Sequence, residues 1–284
     1  MEAEAVKTTM VCRGRLIDLS RPRVMGIVNV TPDSFFAASR VGDHTALLKR
    51  AEQILEEGGT LLDLGAYSTR PGAAEISEEE EVQRLLPALE TLRKYYPDLL
   101  LSVDTFRSVV ARKAVREGEA DLINDVSGGS LDTDMFDTIA ALKVPYVLMH
   151  IQGSPRTMQT APTYQNVVAE VSLWLAQRVD ALRKKGVADI LIDPGFGFGK
   201  TISHNYQLLK HLNELSLLAY PLLVGFSRKS MIYKLLDMDP EAALNGTTVL
   251  NTIALQKGAK ILRVHDVKEA AECVKLVGQL NGVE

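Results

Sequence analysis

The sequence predicts an α/β chain folded as a single-domain (β/α)8 TIM barrel, and three observations predict it. Eight short apolar runs of strand length and composition recur, amphipathic helical stretches lie between most of them, and no Gly/Ser/Pro linker or composition break divides the chain. At 284 residues the chain has room for two average domains of about 150 residues, yet barrels of about 200 to 250 residues or more often stay single. An open doubly wound sheet usually has fewer than eight strands, which favours closure.

In chain order, residues 1–23 read as a β-rich lead-in and 24–284 as the barrel. Its strands are VMGIVNV from Val24, LLDL from Leu61, LLLSV from Leu99, DLIN from Asp121, PYVLM from Pro145, DILI from Asp189, PLLV from Pro221 and KILRV from Lys260. The stretches HTALLKRAEQILEEG from His44 and SEEEEVQRLLPALETLRKYY from Ser77 have helical patterning, which implies crossover connections and parallel strands. Ser77, with Glu80 three residues on, has the form of an N-cap. Glu78, Glu79, Glu80 and Glu81 suit the positive end of the helix dipole, so the glutamate run needs no functional explanation.

Composition closes off several functions. With 46% hydrophobic and 24% charged residues the chain is neither disordered, collagenous nor coiled coil. Thirty-six acidic against 32 basic residues leave a net charge of -4, so nothing global attracts nucleic acid or an anionic membrane, and any anion must be held locally. Cys12 and Cys273 are the only cysteines, too few for a disulfide scaffold or a four-cysteine metal site, and they point to a reducing compartment. MEAEAVKTTM lacks the basic and apolar segments of a signal peptide, and no run reaches the ~18 apolar residues of a membrane helix, so a cytoplasmic location is expected.

Near the carboxyl ends of the runs stand Asn29, Asp63, Asp104, Asn124, His150, Asp193, Ser227 with Lys229, and Arg263 with His265. In a barrel these ends share one rim, where the βα loops build the active site. Any one of them could be ordinary turn chemistry; the set of eight is harder to explain that way. DPGFGFGKT from Asp193 fails as a Walker A loop because Pro194 stands where glycine is needed, and fails as a dinucleotide fingerprint because Lys200 occupies the last glycine position. Its alternating glycines allow either a sharp turn or a backbone close to a ligand. GFSRK from Gly225 lacks the final glycine of a nucleophile elbow. Ser227 fits instead an N-cap for a short helix beginning near Arg228, aiming backbone N–H groups and two cations at an anion. The five histidines include no H-E-x-x-H pair, which argues against zinc. In MGIVNVTPDSF, Asn29 ends a strand before Thr31, Pro32, Asp33 and Ser34. These oxygens suit Mg2+, and a plain Pro-Asp turn fits the segment equally well. YSTRPGA from Tyr67 offers Arg70 to a phosphate, with Pro71 stiffening the loop.

Taken together, MGIVNVTPDSF, STRPGA, SVDTF, INDVSGG, MHIQGSPRTMQ, DPGFGFGK, GFSRKSMI and RVHDV resemble, in order and spacing, the motifs of the dihydropteroate synthase family over residues 24–267. The resemblance implies a (β/α)8 barrel, usually a homodimer, that joins 6-hydroxymethyl-7,8-dihydropterin pyrophosphate to para-aminobenzoate, giving dihydropteroate and pyrophosphate in folate biosynthesis. It implies that Asp193 accepts hydrogen bonds from the 2-amino and ring N–H edge of the pterin, with Asn124 and Asp104 on other edge atoms. Lys229 would donate to the pterin carbonyl and ring nitrogen. Arg263 would stack its guanidinium on the ring and, with His265 and Asn29, border the pyrophosphate. Met149 and Phe198 resemble apolar walls. Para-aminobenzoate would lie between Thr69, Arg70, Pro71, Phe35 and the turn carrying Ser227 and Ser230, its carboxylate near Ser230. Lys229, Asp104 and Arg263 would carry the catalytic roles in a substitution of strong SN1 character. Mg2+ near Asn29, and Arg70, would help pyrophosphate depart; whether Asp33 joins the metal is left open.

Two loops depart from the commonest family pattern. Phe36, Ala37, Ala38 and Ser39 replace an acidic-glycine turn, and Ala66 and Tyr67 replace glycine and glutamate before STRPG. Two rival readings are a pterin-binding methyltransferase barrel, which has no use for the anion pocket that Arg70, Arg263 and His265 suggest, and a non-catalytic pterin-binding barrel.

Overall fold

The computed structural model describes residues 6–30, 44–67, 75–153, 158 and 162–282. The chain enters through an antiparallel hairpin of β1 (Thr9–Cys12) and β2 (Arg15–Asp18), with Cys12 opposite Arg15. Its two-residue turn has positive φ at both Arg13 (47°) and Gly14 (75°), the backbone of the primed turns that match strand twist.

Eight strands then follow: β3 (Arg23–Asn29), β4 (Leu61–Gly65), β5 (Leu100–Asp104), β6 (Leu122–Asp125), β7 (Tyr146–Met149), β8 (Ile190–Asp193), β9 (Leu222–Val224) and β10 (Ala259–Val264). All pair in parallel with their sequence neighbours, and β10 pairs with β3 to close the barrel. The predicted (β/α)8 architecture is the observed one. Around it lie α1 (Thr45–Glu56), α2 (Glu78–Tyr95), α3 (Ser108–Arg116), α4 (Met135–Leu142), α5 (Val167–Lys184), α6 (Ile202–Lys210), the four-residue α7 (Ser230–Tyr233), α8 (Leu244–Gln256) and α9 (Val267–Leu280). Ser77 caps α2 as its spacing predicts, its side chain accepting the Glu80 N–H at 3.1 Å.

The two-residue period of a strand divides the core into two layers. Val24, Val28, Leu62, Leu64, Leu101, Val103, Ile123, Leu148, Ile190, Ile192, Leu222, Val224, Leu262 and Val264 belong to the shell packed with the helices. The other parity faces inward: Met25, Leu61, Leu100, Leu122, Val147, Leu191, Leu223 and Ile261 form a floor, sealed from below by Met10, Cys12, Ile17 and Leu19 around the hairpin. Burying each of these large side chains contributes about 1.5–3 kcal/mol. Two residues further along five of these strands, the same inward parity reaches a polar layer of Asp63, Ser102, Asn124, Asp193 and Arg263. The floor thus seals one end of the barrel, and the functional groups lie above it.

Candidate active site

Arg263 organises the polar layer. Its Nε donates to Asp63 Oδ2 at 2.6 Å and its Nη2 to Asp104 Oδ2 at 2.7 Å. Asp63 is fully buried and also accepts from Ser102 Oγ at 2.5 Å and Asn124 Nδ2 at 3.0 Å. Two bonds to different nitrogens fix the guanidinium plane, which a single ion pair would leave free to rotate. Burial works against the Arg263 charge, but Asp63, Asp104 and Asp193 hold its pKa above the ordinary arginine value. Burial pushes the Asp104 carboxyl up to about 7, with Arg263 opposing and Asp63 and Glu81 reinforcing the rise.

Across the mouth, Asp193 is 6% exposed, and among the described residues only its Oδ1 is engaged, by the Gly195 N–H at 2.7 Å. Burial raises its pKa, against the pull of Lys229, Lys200 and Arg263. Lys229 places Nζ 2.5 Å from the Phe196 carbonyl and 4.7 Å from the centroid of the Phe198 ring. Burial pushes this ammonium down to about 8; Asp193 and Asp104 pull it up, and Arg263 adds to the depression. Met149 packs with Val126, Ile151 and Met158, with Phe106 and Phe198 against them. An apolar wall therefore adjoins a rim of one amide, three carboxylates and two cations.

The remaining expected residues divide into three groups. Asn29 ends β3 opposite Gly65 and is exposed at the rim. Ser227 and Ser230 are half-buried in the turn after β9, and the His265 N–H donates to Ser227 Oγ at 3.1 Å. Phe35, Thr69, Arg70 and Pro71 lie outside the described residues, as do Asp33 and the divergent Phe36, Ala37, Ala38 and Ser39.

Three readings need correction. Ser227 caps no helix: its oxygen is taken by His265, Arg228 adopts φ +53°, and α7 begins only at Ser230. Arg228 does not supply a second cation to an anion, because Asp266 takes Nε and Nη2 at 3.0 and 2.8 Å and the Glu241 carbonyl takes Nη1. His150 stands at a strand end but follows Met149 on the outward parity, and its ring packs edge-on against Trp174 at 4.9 Å.

DPGFGFGK proves a tight loop. Gly195 has φ +69° and Gly199 φ +62°, and a Cβ on them would sit 1.9 Å from the His150 carbonyl oxygen and 2.4 Å from that of Gln152. The close approach is thus to another loop's backbone. Asp63 stands among the rim residues that the sequence picks out, but its role is not assigned there: it anchors Arg263, 200 residues away in the chain. Counting the inward parity from Leu61 places it in the polar layer.

A closed barrel whose rim sets an oriented guanidinium plane and fixed hydrogen-bonding groups beside an apolar wall suits an enzyme that holds a planar heterocycle. In keeping with that class, residues 25–265 match the family described as "Pterin binding enzyme". The chain is 44% identical to the dihydropteroate synthase of Escherichia coli (strain K12) over 273 residues, 94% of this chain and 95% of the relative. It superposes on Xanthomonas albilineans dihydropteroate synthase with 4-aminobenzoic acid at a TM-score of 0.87, with 43% identity and 98% and 99% of the two chains covered. The same organism's enzyme in complex with 7,8-dihydropteroate gives 0.84, with 40% identity and coverage of 97% and 100%. The chain belongs to the dihydropteroate synthase family, transferases of folate synthesis. Neither the methyltransferase nor the non-catalytic reading is favoured. Among the described residues no helix is long and apolar enough to cross a membrane.

Proposed function

We propose that the rim centred on Asp193, Asn124, Lys229 and Arg263 is where dihydropterin pyrophosphate meets para-aminobenzoate. The observation that carries this is the double anchoring of Arg263 by Asp63 and Asp104, which presents a pre-oriented guanidinium face above the floor. A pterin lying on that face turns its 2-amino and ring N–H edge to Asp193 and Asn124, and its carbonyl to the Lys229 ammonium. Met149 and Phe198 exclude water from the ring.

The chemistry is substitution at the exocyclic methylene. The C–O bond breaks with its electron pair leaving on pyrophosphate, and the electron-rich dihydropterin stabilises the resulting cation. The amine nitrogen of para-aminobenzoate then forms the C–N bond and loses a proton. Arg263 and His265 face the departing anion, and Asp104 lies beside the developing positive charge. An arylamine is nucleophilic at neutral pH, so no strong general base is needed. Para-aminobenzoate is assigned to the side of Ser227 and Ser230, with Phe35, Thr69, Arg70 and Pro71, which lie outside the described residues, proposed as its other contacts.

Asn29 presents one amide oxygen at the rim, and the described residues contain no group of three His, Cys, Asp or Glu side chains that could hold a metal. A Mg2+ ion fits such a site because it takes most of its ligands from phosphate and water. When bound, it would neutralise charge on the leaving pyrophosphate. A homodimer is proposed through α9, where Leu276 and Leu280, one turn apart, are 73% and 70% exposed. The two free, buried cysteines suit a reducing, cytoplasmic setting.

Calorimetric titration tests the arrangement. Dihydropterin pyrophosphate should bind more tightly with Mg2+ than in excess chelator, and para-aminobenzoate should bind only after it. Binding of para-aminobenzoate to the free protein at unchanged affinity would overturn the proposed order.

A further inference from the structure

Lys200, the residue that ends DPGFGFGK, is 3% exposed and has no place in the chemistry above. Its three ammonium hydrogens are all taken, by His150 Nδ1 at 2.9 Å, the Gly195 carbonyl at 2.9 Å and the Phe198 carbonyl at 3.0 Å. Burial and the neighbouring Lys200 push His150 down to about 2, so the ring is neutral and its Nδ1 is the acceptor. Burial pushes the Lys200 ammonium down to about 7, with Asp193 opposing; an amine so desolvated, with neutral groups as its direct acceptors, costs more to bury than an apolar side chain, so packing alone does not account for a lysine here.

The consequence lies in the loop that Lys200 closes. By gripping the carbonyls of Gly195 and Phe198, it leaves the carbonyl of Phe196 directed at Lys229 Nζ and the Phe198 ring beneath the same ammonium. The Gly195 N–H meanwhile holds Asp193 Oδ1. Asn205 accepts the Gly197 N–H and donates to the Lys200 carbonyl, and the Tyr164 hydroxyl donates to that of Gly199. Both groups assigned to the pterin edge therefore rest on a segment that Lys200 ties at Gly195 and Phe198, with Asn205 and Tyr164 holding the residues beside them.

We propose that Lys200, seated on His150, is a positioning residue: it fixes the 195–198 loop so that Asp193 and Lys229 meet the pterin, without itself touching substrate. This rests on the assignment of Asp193 and Lys229 to the pterin.

The test combines calorimetric binding of dihydropterin pyrophosphate with steady-state constants for both substrates. Lys200→Met should raise the pterin Kd on the order of tenfold or more, because small misplacements of binding groups are that damaging. The KM for para-aminobenzoate at saturating pterin should stay within about twofold, a split that simple loss of folded protein would not produce. His150→Phe, which removes the acceptor, should reproduce the effect; His150→Asn, which keeps an acceptor at that place, should restore most of the affinity. The Lys200→Met/His150→Phe double variant should be no worse than Lys200→Met alone.

A pterin Kd at the parent value in Lys200→Met overturns the proposal, as does a fall in kcat with both substrate constants unchanged. Should Lys200→Met fail to fold, the His150 pair decides by the same two measurements. Lys229→Ala separates this inference from its premise. If that variant also binds pterin like the parent, the site assignment has failed; if it loses binding while Lys200→Met does not, only the role of Lys200 has.

Discussion

Two nitrogens of Arg263 are engaged by carboxylates, and that arrangement yields a residue-scale prediction. Asp63→Asn keeps the size of the side chain but removes the charge facing Nε. Breaking a buried ion pair from one side is strongly destabilising, and with Asp104 still in place the loss should be about 3 kcal/mol by denaturant unfolding. The pterin Kd should rise as well, because one bond no longer fixes the guanidinium plane; an unchanged Kd would sink the stacking role. Lys229 gives a second prediction. Lys229→Ala should nearly abolish turnover while circular dichroism reports an intact barrel. In the parent, the Lys229 ammonium, assigned above to the pterin, has its pKa pushed down to about 8, from 10.5. The kcat/KM for pterin pyrophosphate should therefore fall as pH rises through about 8. Fold stability should move the other way, rising with pH between about 8 and 10.5, because the unfolded chain binds the proton more tightly there. A flat alkaline profile would contradict the donor role.

At the scale of elements, the loops after β8 and β9 show what local patterning conveys. Three alternating glycines after Asp193 signal a special backbone, but not what it approaches. Gly195→Ala should impair both stability and turnover, since its Cβ would meet the His150 carbonyl oxygen at 1.9 Å on a backbone of φ +69°. Gly186→Ala is the control: φ is also positive, at +85°, but nothing lies within 4 Å. It should lose only the strain of about 1–2 kcal/mol and keep its activity. Equal activity losses in the two would show that strain, not loop contact, dominates. In GFSRKS, the Ser-Arg-Lys pattern suggested a cap, yet the hydroxyl and guanidinium are both tied to the segment after β10. Capping rules presume a local partner, and here the partners are distant in sequence.

Across the whole molecule, the barrel separates stability from chemistry along its axis. The end opposite the site has its own buried ion pair, Arg93 Nη2 to Asp121 Oδ2 at 2.7 Å, and the same oxygen accepts the Leu101 N–H at 2.8 Å. Asp121→Ala should lower stability by about 3–5 kcal/mol yet leave kcat/KM per folded molecule unchanged. A parallel loss of catalytic efficiency would mean that the floor transmits strain to the rim.

Strand positions, their number, and the polar residues at their ends were legible because strand alternation and βα patterning are written over a few neighbouring residues. The same holds for the Ser77 cap and for the chain motifs that resemble the family. Which side chains meet was decided by closure: β10 pairs with β3 and carries Arg263 to Asp63, 200 residues earlier, while β7 and β8 lie side by side and bring His150 to Lys200. Hydrogen bonds and ion pairs act over a few ångströms in space, whereas local periodicity carries no information about chain segments so far apart.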